Sequence, residues 1–142
     1  VIDPDRLDAG IEGWRTERES FEPRAGLVEL LAQARLRYGL TVAMGTWCGD
    51  SREQVPRLQR VLASLGDRSP FAAPVLVGGD RSKSYPPELY AFGPVELVPT
   101  IVVTLEGSEI GRIAEKPSSG SLEEDLATIL APFEGWEVPR EE

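Results

Sequence analysis

Apolar side chains recur along the chain with a helical period in two places. Leu27, Leu30, Leu31 and Ala34 fall at i, i+3, i+4 and i+7 and predict a helix. Pro23 suits its start and Gly39 its C-terminal cap. Val55, Leu58, Val61, Leu62 and Leu65 share one face of a second helix, predicted from Arg52 to Leu65 and ended by Gly66. Pro56 sits inside it, where it removes one hydrogen bond and kinks the axis. Ser121 and Glu124 have the spacing of a capping box and open a third helix, predicted to run through Leu130.

Between these lie shorter runs of continuous apolar character. Leu40–Met44 and Pro74–Gly78 read as buried strands, and Leu97–Leu105, rich in β-branched residues, as a third. Glu106, Gly107 and Ser108 turn that strand into a hairpin partner at Glu109–Ala114. Residues 80–85 read as loop and 86–92 as a short helix. The order predicts an α/β domain, a mixed central sheet covered by helices on both faces. In residues 1–22 Leu7, Ile11, Trp14 and Phe21 are scattered among polar residues, as in a short helix lying on the domain or a partly ordered arm. The aromatic pair favours packing. The division expected is thus an N-terminal extension (1–22), a domain (23–131) and a C-terminal tail (132–142).

A length of 142 residues matches about one domain. Acids outnumber bases 24 to 15, a net charge of −9, which repels phosphate backbones and makes nucleic acid an unsuitable partner. No apolar run approaches the ~20 residues of a membrane span. Val1 stands in place of Met. A processed start points to the cell envelope or periplasm, with the cytoplasm as the alternative. The absence of histidine excludes histidine triads and two-histidine metal sites, and a single cysteine excludes an internal disulfide. No metal site and no bound cofactor are expected.

The chemistry concentrates in Trp47-Cys48-Gly49-Asp50-Ser51, between a predicted strand and a predicted helix. A cysteine at a helix N-terminus faces unpaired N–H groups and the positive end of the dipole, which favour its thiolate. A fall in pKa from ~8.5 to ~7 raises the thiolate fraction at pH 7 from ~3% to ~50%. The charge of Asp50, where it lies close, opposes such a shift and that of Arg52 favours it, and the sequence does not decide between them. Arg52, Arg57 and Arg60 read as a solvated helix face, and the acids at 123–125 as partners of a helix dipole.

These residues resemble the thioredoxin family over residues 25–131. Trp47-Cys48-Gly49 matches the start of that family's Trp-Cys-Gly-Pro-Cys active site. Pro56 stands where thioredoxins carry a helix-kinking proline. Val98-Pro99-Thr100 resembles the cis-proline loop that faces the active cysteine, and 105–111 resembles the closing hairpin. The resemblance implies a thioredoxin-like fold and a cis Val98–Pro99 bond. It departs at two positions. Ser51 replaces the second, resolving cysteine, and Val42 replaces a buried acid, so the dithiol cycle is lost.

The motif also resembles a group of bacterial thioredoxin-like proteins. What the resemblance implies is a monothiol redox protein, a single-cysteine thiol–disulfide oxidoreductase. Cys48 is then the nucleophile, Ser51 stabilises its thiolate, and Trp47, Gly49, Asp50, Val98 and Pro99 meet the partner. Its partners are a protein disulfide or small-thiol substrate and an external resolving thiol. Two other readings stand beside it. One is a non-catalytic binding module docking peptides at Trp47, Val98 and Pro99. The other is an iron–sulfur site completed by an external thiol, since Cys48-Gly49-Asp50-Ser51 resembles the Cys-Gly-Phe-Ser motif of monothiol glutaredoxins.

Overall fold

The structure is a computed structural model and describes residues 7, 10–11, 13–44, 49–78, 99–114 and 116–138, with backbone alone at 49 and 50. In chain order its elements are α1 (Trp14–Ser20), α2 (Ala25–Ala32), β1 (Gly39–Met44), α3 (Gly49–Leu65), β2 (Val75–Gly78), β3 (Thr100–Leu105), β4 (Ser108–Ala114) and α4 (Leu122–Glu134). A 3-10 turn, Gly66–Arg68, follows α3. The short helix expected at 86–92 lies outside the described residues. The architecture is mixed α/β.

The strands form one sheet in the order β2-β1-β3-β4. β1 and β2 are parallel, which requires a crossover, and α3 supplies it. β3 runs antiparallel to β1 and to β4. The β3–β4 hairpin turns on Glu106 and Gly107, both at positive φ (53° and 83°), as a tight two-residue hairpin loop demands. Register puts Leu40, Val42, Leu76, Ile101, Val103 and Ile113 on one face. All belong to the apolar core, together with Val55, Leu58 and Val61 of α3, Leu27 and Leu31 of α2, and Leu126 and Leu130 of α4. On the other face Ala43, Val77, Thr100 and Val102 are buried as well.

Within the expected N-terminal extension, Trp14–Ser20 form a helix. α1 packs on α3 and buries Trp14, whose Nε1–H donates to Gln59 Oε1 (2.8 Å). This changes the reading of the arginine face. Arg57 is only half-buried between Glu17 (2.9 Å) and Glu53 (3.4 Å), with its guanidinium 5.2 Å from the centre of the Phe21 ring. Arg60 lies 3.9 Å from Glu22. Arg52 is exposed, as expected of a solvated face.

Several boundaries differ from the sequence pattern, among them the start of α3, which lies at Gly49 rather than Arg52. α2 stops at Ala32 with Gln33 as its cap, so Gly39 caps nothing. The N–H groups of Arg35 and Leu36 donate instead to the Glu134 carboxylate (2.8 and 3.1 Å), which withdraws them from any further helical turn. Gly39 opens β1, where a Cβ would lie 2.5 Å from Thr104 Oγ1. α4 runs past Leu130 to Glu134 in spite of Pro132, and it closes on Gly135 in the left-handed region (φ 76°). Trp136 and Val138 beyond it pack against the core.

The seat of α4 on the sheet depends on a missing side chain. A Cβ on Gly111 would lie 2.9 Å from both Cγ1 and Cγ2 of Ile129. Gly111→Val is therefore expected to lower stability by about 1–3 kcal/mol in urea unfolding. Adding Ile129→Ala should recover part of that loss, so that the double variant is more stable than the two single effects sum to. A strictly additive pair would mean that this contact does not set the helix–sheet spacing.

Candidate functional site

β1 and β2 end together, with Met44 beside Gly78. Because β3 is antiparallel to β1, it starts at that same end, with Thr100 beside Ala43, and Ala114 closes β4 next to it. Three helices also begin there. α3 starts at Gly49, and the starts of α2 and α4 are joined where the Arg24 N–H donates to Glu123 Oε2 (2.7 Å).

Trp47, Cys48 and Val98 lie outside the described residues. For Gly49 and Asp50 the structure gives the backbone, which is helical. Their described neighbours gather at this sheet end. Ser51, in the first turn of α3, is 0% exposed, and Gln54 one turn further along the same helix face is buried too. Pro99 is buried in a bend directly before β3, and Thr100 is 2% exposed. Ser51 and Thr100 each bury a hydroxyl-bearing side chain, one at a helix start and the other at a strand start. Pro56 is buried inside α3. Val42 is 0% exposed and packs in the apolar core, so its position holds no charge.

The acids at 123–125 do more than face a helix dipole. Glu123 and Glu124 both bind Arg24, through its N–H and through its guanidinium (2.9 Å). Asp125 takes the N–H groups of Ser118 and Ser119 (2.8 and 3.0 Å) and so fixes the loop before α4. Ser121 caps α4 by accepting from the Glu124 N–H (3.1 Å), but the return half of the box is replaced. The Ser121 N–H donates to Ser119 Oγ (3.4 Å), and the Glu124 carboxylate turns to Arg24. Sequence reasoning missed these anchors because their partners lie in other elements. A cavity of about 180 Å³ beside α4 is lined by Ser118, Ser119, Glu124, Asp125 and Thr128, all already bonded within the chain. Among the described residues, no three acids are grouped to hold a metal ion, and no helix is long and apolar enough to cross a membrane.

Another electrostatic cluster sits at the opposite end of the sheet. Glu134 accepts from the Tyr38 hydroxyl (2.6 Å) as well as from the two amides of Arg35 and Leu36. Burial opposes its charge, but these three bonds and the Arg35 charge outweigh it and hold the carboxyl below the usual carboxylate range. Burial, then the bond to Glu134 and its charge, push the Tyr38 phenol up.

No protein-family model and no curated protein matches the sequence. Solved structures do. The chain is similar to an HIV epitope scaffold (TM-score 0.62, 20% identity, 95% of this chain and 88% of that one). It is equally similar to a Pseudomonas aeruginosa protein of unknown function (TM-score 0.61, 20% identity, 94% and 87%). A mutant thioredoxin from Halobacterium salinarum matches more weakly (TM-score 0.47, 18% identity, 83% and 90%). At these identities the likeness is one of fold.

Proposed function

We propose that the chain is a thioredoxin-like protein with one reactive thiol, Cys48, which exchanges disulfides without a resolving cysteine of its own. The observation that carries this reading is the shared sheet end. The sequence elements that resemble the family are far apart in the chain, at 47–51, 56 and 98–100. What supports the reading is that α3 starts shortly after β1 ends and that β3 starts beside that same end, with Thr100 opposite Ala43.

In this reading the Cys48 thiolate attacks one sulfur of a partner disulfide. The partner's S–S bond breaks, a Cys48–partner S–S bond forms, and the other sulfur leaves as a thiolate that takes a proton from water. A second thiolate, from a small thiol or a partner cysteine, then attacks the mixed disulfide and restores Cys48. Ser51 donates its O–H to the Cys48 thiolate, while Trp47, Gly49, Asp50, Val98 and Pro99 border the partner. Electrons pass between partner and external thiol, so the protein itself ends each turn unchanged. That balance suits isomerisation or removal of thiol adducts.

The test is the rate of Cys48 alkylation by iodoacetamide against pH, read by intact mass on the folded protein. The chain has no histidine, so a transition near pH 7 has one side-chain source. A midpoint at 7 or below is expected. Ser51→Ala should raise it by about 0.7 unit, the worth of one hydrogen bond of about 1 kcal/mol. A midpoint above 8.5, or protection until unfolding, overturns the exchange mechanism and leaves a peptide-docking module.

A further inference from the structure

No further inference is drawn: the strongest candidate, the exposed apolar pair Leu36 and Phe133 at the sheet end remote from Gly49, carries nothing because nothing in the structure shows what covers it.

Discussion

Trp14→Ala is expected to lower the unfolding free energy by about 3–5 kcal/mol, the range for deleting a buried aromatic side chain. The indole is 1% exposed. Beside it, α1 is tied to α3 by the partly exposed Glu17–Arg57 pair. α1 has seven residues and no side-chain N-cap, and so short a helix is unstable in isolation. Against a typical total of about 5–15 kcal/mol, the loss takes a large share of the fold's stability. Trp14→Phe separates packing from polarity, since it keeps an aromatic ring and removes the donor to Gln59. Urea unfolding followed by circular dichroism reads all three proteins. A loss under 1 kcal/mol for the alanine variant would mean that α1 rests on α3 without contributing to the fold.

Glu134→Gln has the second-largest expected effect. One carboxylate joins α4 to Arg35, Leu36 and Tyr38. Charge-assisted bonds of this kind are worth about 1.5–3 kcal/mol each when buried. Partial exposure and loss of charge rather than of shape bring the expected total to about 2 kcal/mol. The pH dependence gives the sharper reading. The carboxyl titrates lower in the folded chain than in the unfolded one, so its contribution is fully present above the unfolded value of ~4.3 and is lost as pH falls through the folded value. Tyr38 works in the other direction. Its folded value is raised, so its contribution is complete below ~10 and is lost as pH climbs toward that raised value. Stability from this contact should therefore be flat from about pH 5 to 9 and fall on both sides. The glutamine variant should show a shallower acid limb. An unchanged limb would assign acid sensitivity to other pairs, of which Glu29 with Arg68 is one.

Two helices were legible from a repeating face, at Leu27–Leu31 and Val55–Leu65, the strands from continuous apolar runs, and the last helix from its capping box. Period reports burial, and burial makes the element. What the sequence could not show was set by distant partners. α2 ends shortly before Glu134 takes the amides of Arg35 and Leu36, and nothing near Ala32 announces this. Gly39 has the look of a cap because glycine serves turns, yet its smallness answers Thr104 across the strand pair. Arg57 and Arg60 read as solvated because the position of α1 is not written in α3. At the candidate site, Ser51 and Pro99 are buried, and Trp47, Cys48 and Val98 lie outside the described residues. The anchoring roles of Glu123, Glu124 and Asp125 stayed hidden, since acids in a first helical turn have a sufficient local explanation.

Both ends of α2 are held by side chains of α4. The bonds Arg24–Glu123 and Arg35–Glu134 each join residues 99 apart in the chain. At roughly 5–20 residues per second, a ribosome needs on the order of 5–20 s to make such a stretch. During that interval α2 has emerged while the partner that fixes its length and seat does not yet exist, and Leu27 and Leu31 have no α4 to cover them. Newborn chains should accordingly present an apolar surface to holding chaperones until the last helix is made. Slow translation upstream of residue 122 would lengthen that exposure.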